Sequence, residues 1–183
     1  MKSVIGSLVL LFSIIFILGE ANVELKAQNQ EKPRISPKAE VMQVVGFTEV
    51  RIYFGRPGVK NRTIWGELVP YNSVWRAGAN EATKFTFSTD VIIEGKKLPA
   101  GSYSFFAIPG KENWTLIFNR VADQWGAFEY NEAEDALRIT VKPKNSGFTE
   151  WLDYNFKKLS DNSAEISLDW ERLKIPFKIE VEI

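Results

Sequence analysis

Beyond residue 40 the apolar positions of this chain recur every second residue, and no 12-residue stretch shows the 3.6-residue period of a helix. Val50, Ile52 and Phe54 alternate with Arg51 and Tyr53, and Phe85 and Phe87 with Lys84, Thr86 and Ser88. Tyr103, Phe105 and Ala107 alternate with Ser104, Phe106 and Ile108, so this segment is apolar on both faces at its far end. The pattern continues through Trp114, Leu116 and Phe118, then Leu137, Ile139 and Val141, then Phe148, Leu152, Tyr154 and Phe156. It closes with Ala164, Ile166, Leu168 and Trp170, followed by Ile175, Phe177, Ile179, Val181 and Ile183. With residues 41–46 and 91–94 the count is nine to ten strands. Most are separated by turn signals such as Glu94-Gly95, Pro109-Gly110, Asn145-Ser146-Gly147 and Asp161-Asn162. Consecutive alternating strands joined by short turns predict an all-β chain, an antiparallel β-sandwich or jelly-roll-like arrangement. Only residues 63–68 suit a single helical turn.

One local motif is specific. Leu98-Pro99-Ala100-Gly101-Ser102-Tyr103 has the layout of a tyrosine corner, in which a Tyr hydroxyl bonds the backbone a few residues upstream. Tyr103 is therefore expected to be structural. Two segments interrupt the strand rhythm, 55–78 and 121–135. Loops of that length without secondary structure of their own are often functional, so the chemistry is sought there.

The N-terminus follows a different pattern. Lys2 precedes an apolar run at 4–18, and a polar stretch begins at Gly19, the layout of a secretory signal peptide with cuts expected after Ala21 or Ala27. As a helix the run would span only ~22 Å against a ~30 Å hydrocarbon core, which argues against a permanent anchor. The expected organisation is a signal peptide over 1–27, a flexible lead-in over 28–38 with Pro33 and Pro37, and one sandwich domain over 39–183. A periplasmic or secreted protein follows, with no stable membrane insertion after cleavage.

Composition removes whole classes of chemistry. The chain has 183 residues, 23 basic and 23 acidic side chains, no His and no Cys. Thiolate nucleophiles, disulfides, iron–sulfur clusters, imidazole metal sites and Ser-His machinery are all excluded. Zero formal charge argues against a nucleic-acid partner, and removing residues 1–27 takes two charges of each sign, so the balance persists. No nucleotide fingerprint or penicillin-recognition motif set is present, so no cofactor is expected.

What is left is a basic, aromatic loop facing an acidic one. Residues 50–66 carry Arg51, Arg56, Lys60 and Arg62 with no acid after Val50 until Glu67, and Tyr53, Trp65, Tyr71, Trp75 and Arg76 lie in the same region. Guanidinium forks beside aromatic faces suit a carboxylate, phosphate, sulfate or sugar. Residues 121–136 carry Asp123, Glu129, Glu132, Glu134 and Asp135 with no base, so the alternative to an anion or sugar site is that the two loops pair with each other or each face water. Calcium is a weaker reading of the acidic loop, because its acids follow no known ligand spacing; no metal site is expected. The densest polar cluster is Trp75-Arg76-Ala77-Gly78-Ala79-Asn80-Glu81 at the entrance to a strand. The candidate ligand-binding set is therefore Arg56, Lys60, Arg62, Trp65, Tyr71, Trp75, Arg76, Asn80 and Glu81. In this reading the cations grip the ligand, Trp65, Tyr71 or Trp75 supplies a stacking wall, and Asn80 fixes orientation. An Arg76–Glu81 ion pair is the structural alternative. A glycan hydrolase using Glu81 with a second carboxylate is the catalytic alternative, and a structural envelope component is the third.

A resemblance then becomes visible. Arg56-Pro57, Lys60-x-Arg62-x-Ile64-Trp65-Gly66, Leu68-Val69-Pro70-Tyr71, Val74-Trp75-Arg76-x-Gly78-Ala79-Asn80-Glu81-Ala82-Thr83, Leu98-Pro99-Ala100-Gly101-x-Tyr103 and Trp125-Gly126-Ala127-Phe128 resemble the bacterial domain of unknown function 2911 family. The likeness runs from Ser36 to the C-terminus. It implies an exported bacterial envelope protein of one domain and carries no catalytic residue with it.

Overall fold

Each strand turns one row of alternating side chains toward a shared interior, and two antiparallel sheets close over it. The computed structural model describes residues 32–183, of which Pro33–Ile183 form one compact unit; the expected signal peptide lies outside the described residues. The larger sheet has six strands: β1 (Lys38–Val45), β2 (Thr48–Gly55), β3 (Thr83–Phe87), β6 (Gly101–Ile108), β7 (Trp114–Asn119) and β8 (Asp135–Val141), hydrogen-bonded in that order. The smaller has four, in the order β5 (Lys96–Leu98), β4 (Val91–Ile93), β10 (Ser163–Glu180) and β9 (Lys144–Ser160). The fold is thus an all-β sandwich of ten strands and not a closed barrel. A short 3-10 turn at Glu132–Glu134 is the one helical element among the described residues. Residues 63–68, which suit a helical turn by sequence, instead fold back so that Trp65 bridges Val69.

The strand total agrees with the alternation, but one boundary does not. The apolar rows at 164–170 and at 175–181 are a single 18-residue strand, β10, and the tenth strand is the short β5. The physical reason is a change of parity. Buried positions are even-numbered through Ile166, Leu168 and Trp170, then odd-numbered through Ile175, Phe177 and Ile179. Glu171, whose left-handed φ of 56° breaks the extended alternation of β10, lies at that change, and the register with β9 shifts on either side of it.

The interior is aromatic. Phe85 of β3 packs against Phe105 at 4.7 Å, Phe118 at 5.4 Å and Tyr154 at 5.8 Å between ring centroids, and Phe177 of the opposite sheet lies 6.0 Å from Phe105. A second cluster sits on the other face of the large sheet, where Phe106 and Ile117 are covered by Val74, Ala127 and Tyr130. Val74 from the end of the first long loop and Ala127 and Tyr130 from the second thus cover this outer face, which accounts for the doubly apolar end of β6.

The corner motif forms as its sequence predicts. Tyr103 is buried, and its hydroxyl donates to the Pro99 carbonyl at 2.9 Å. The lead-in is also tied down before β1 begins. Pro37 O accepts from Arg56 N at 2.9 Å, and Ser36 O accepts from Asn80 Nδ2 at 3.4 Å. Arg34 Nη1 donates to both Glu81 oxygens at 2.9 and 2.8 Å, and Lys38 Nζ lies 2.9 Å from the same carboxylate. Partial burial pushes the Glu81 carboxyl upward, but the bond from Lys38, its own backbone N–H and Arg34 together outweigh this and hold it at about 2.

Two outcomes are expected from these contacts. Tyr103→Phe should lower stability by about 0.5–2 kcal/mol in urea denaturation, the range for one lost buried hydrogen bond whose acceptor is left unpaired. The Glu81 clamp should be acid-sensitive. Because the folded carboxyl titrates below its ordinary value of 4.5, its stabilisation is complete above that value and is lost as pH falls toward about 2. The stability gap between wild type and Glu81→Gln should therefore close over that window, and a gap independent of pH would show that the clamp contributes nothing.

Candidate functional site

The loop leaving β2 returns to β3 through a turn that the backbone tolerates only with help. Ala77 has φ 50° and Asn80 φ 65°, left-handed values that side-chain-bearing residues adopt at a cost. Lys60 and Asn61, at φ 48° and 56°, repeat the feature in the same loop. Such strain persists where surrounding structure fixes it, and that condition holds at Ala77. Its carbonyl accepts from the Thr83 hydroxyl at 2.9 Å and from the Tyr154 hydroxyl at 2.8 Å. Tyr154 lies in the core of the opposite sheet, and burial pushes its phenol well above the ordinary range, so it stays a proton donor. Close packing is needed as well. A Cβ on Gly55 would stand 2.1 Å from the Ala79 carbonyl oxygen, so only glycine lets the two backbones meet there.

This turn presents Arg76. Trp75 on one side exchanges two 2.8 Å backbone hydrogen bonds with Ala107 of β6, and Thr83 N donates to Arg76 O at 3.2 Å on the other. The guanidinium is half-buried, and its Nε is inaccessible to solvent with no partner among the described residues. Desolvation pulls its pKa downward with nothing opposing it. Glu81 is not its counter-ion. Directly after the strained Asn80, that carboxylate faces away and is gripped by Arg34 and Lys38.

Arg76 lines a cavity of ≈ 240 Å³ with Lys60, Arg62, Asn80, Trp75 and Trp170 among its walls, and no Asp or Glu lines it. Arg62 is held by carbonyls alone, its Nε donating to Val59 O at 3.1 Å and its Nη2 to Gly58 O at 2.5 Å. Lys60 places its ammonium 5.5 Å from the centre of the Trp151 ring. Glu150 is a neighbour, but its Oε1 accepts from the Lys60 backbone N–H at 2.9 Å. Three cationic residues thus line a hollow that has no carboxylate among its walls.

Of the nine residues singled out by sequence, the structure gathers Lys60, Arg62, Trp75, Arg76 and Asn80 at this cavity. The others lie elsewhere. Arg56 pairs with Asp153 at 3.1 Å and donates to Leu152 O at 2.9 Å, which ties the loop to β9. Trp65 is surrounded by indoles, at 5.9 Å from Trp75, 5.0 Å from Trp114 and 5.7 Å from Trp170, and belongs to the core cluster. Tyr71 lies over Gly66, with a ring carbon 2.9 Å from where a Cβ would stand. Glu81 borders a different cavity. Trp170, by contrast, reaches the site from β10, stacked on Trp75 at 5.9 Å and 16°. In the sequence it is one more buried strand residue, and no local signal sets it apart.

The basic and acidic loops do not pair with each other through these groups. Arg56 turns to β9, while Asp123 pairs with Lys84 at 2.8 Å and Arg138 takes Glu132 and Asp135 at 2.8 and 3.1 Å. Among the described residues no group of three or more acids is placed to hold a metal ion.

No curated protein and no solved structure matches the chain. A family profile does match, over residues 36–179, a span that includes both sheets and every wall of the Arg76 cavity except Ile35. The chain belongs to the family described as protein of unknown function (DUF2911).

Proposed function

We propose that this protein is a binding module that takes a small anion, or the anionic group of a glycan, in the cavity around Arg76. The observation that supports the reading is the uncompensated guanidinium. Burying part of a charge without a counter-ion is unfavourable, and here strained backbone and a buried Tyr hydroxyl hold the turn that does so in place, while two further cationic residues in the same walls add to the cost until an anion enters. A carboxylate, sulfate or phosphate would satisfy the fork of Arg76 with Lys60 and Arg62 beside it, and Asn80 would orient the remaining oxygens. The apolar run at 4–18 and the polar stretch after it support a periplasmic or secreted setting in a bacterial envelope.

A hydrolase built on Glu81 has less support. A glycosidase acid needs a carboxyl held protonated near neutral pH, and Glu81 is held ionised by two cations.

Thermal shifts with sulfate, phosphate and galacturonate test the proposal. Arg76→Lys should leave the urea midpoint nearly unchanged, since no partner is stranded, yet weaken anion binding by roughly tenfold or more through loss of the bidentate fork. Tyr154→Phe should lower stability by about 1–3 kcal/mol and also weaken binding, although it never touches the ligand. Wild-type protein indifferent to all three anions would overturn the reading.

A further inference from the structure

A second cavity, of ≈ 390 Å³, lies on the other side of the Asn80-Glu81 peptide from the Arg76 site. Three chain segments pass from one to the other. Ser36, Gly58 and Asn80 line the first, while Lys38, Gly55 and Glu81 line the second. The chemistry of the two differs. Around Arg76 the charges are all positive, but in the second cavity each cation meets a carboxylate, Lys38 with Glu81 at 2.9 Å and Lys84 with Asp123 at 2.8 Å. The hollow is therefore neutral overall while presenting several strong donors and acceptors.

Its wall carries Trp125, 59% exposed. An indole that open is ordinarily mobile, yet this one stands on fixed backbone. Glu81 and Trp125 form a bridge, Ala82 N donates to Gln124 O at 2.9 Å, and Gly126 N donates to Asn80 O at 3.0 Å. Gln124 itself is buried, its Nε2 donating to Ser104 Oγ at 3.1 Å, Asn119 Oδ1 at 3.2 Å and Val121 O at 2.9 Å. The backbone that carries the exposed ring is thus fixed by a buried amide anchored to β6 and β7. Pinning a contact surface in advance lowers the entropic cost of binding.

From this we infer a second binding site, independent of the Arg76 reading, that accepts a neutral pyranose sugar. Its ring would lie on the Trp125 indole, and its hydroxyls would hydrogen-bond to Glu81, Asp123 and the two lysine ammoniums. An amphipathic ring with an apolar face and polar edges matches an aromatic wall beside balanced charges, whereas a free anion would meet Glu81 and Asp123 unfavourably. The volume suits one or two sugar rings, near the lower end of the ~300–1,000 Å³ range of small-ligand sites.

The test is isothermal titration of the purified protein with neutral di- and trisaccharides of glucose, galactose, mannose and N-acetylglucosamine, up to tens of millimolar. At least one should bind saturably. Trp125→Ala, at an exposed position, should lose roughly tenfold or more in affinity, a difference of about 1.4 kcal/mol or more, and Asp123→Asn should weaken the same sugar. Lys60→Ala, on the far wall of the anion cavity, should leave sugar binding unchanged, which separates this site from that cavity. Absence of binding by every sugar, or binding that survives Trp125→Ala, would overturn the inference. So would sugar-independent self-association abolished by Trp125→Ala, which would make the indole a protein contact.

Discussion

The hydrogen bond from Tyr154 to the Ala77 carbonyl joins the core to the candidate site, and most of what distinguishes this molecule depends on it. Tyr154 packs edge-on against Phe54 at 4.8 Å and against Phe85 at 5.8 Å, so its ring belongs to the aromatic layer between the sheets. Its hydroxyl has no water to turn to and is satisfied by a carbonyl whose residue sits in a left-handed conformation. Packing of the sheets thus determines a strained turn, and the turn determines where Arg76 points. A rearrangement in the core would be felt at the cavity without any change in the residues that line it.

The same coupling explains which parts of the molecule can be read from the amino-acid order. Alternation identifies most strands because burial acts locally on every second residue; it splits β10 where the left-handed Glu171 breaks the period, and it misses β5, which is too short to show one. The Tyr103 corner is equally legible, since donor and acceptor lie four residues apart. The site is legible in part. Lys60, Arg62, Trp75, Arg76 and Asn80 stand out as a basic, aromatic loop and do meet at one cavity, but their pairing is settled by residues far away in the chain. Arg56 is claimed by Asp153 and Glu81 by Arg34, while Trp170 arrives from the opposite sheet. Adjacency suggests Arg76 and Glu81 as partners; the turn at Ala77 and Asn80 points them in different directions.

The aromatic side chains follow a similar division. Trp65, Trp75, Trp114 and Trp170 gather into one cluster in which Trp75 and Trp170 stack and the others meet edge to face. By composition alone each is as good a ligand platform as Trp125. The difference is made by the sheets, which gather these four indoles together, leave Trp151 under Lys60 and put Trp125 on the rim of a neutral hollow, between the clamp that holds the lead-in and the loop that follows β7.

Sequence separation gives the Tyr154–Ala77 bond a further meaning. Donor and acceptor are 77 residues apart, and the loop they fix also rests on Leu152 and Glu150 of β9. Closing so long a loop costs more chain entropy than pairing a local hairpin such as β9–β10. Until that closure Arg76 is an ordinary solvated arginine on an unstrained chain. The charge cluster thus exists only where distant parts of the chain have met, so recognition by it would report that the two sheets have come together.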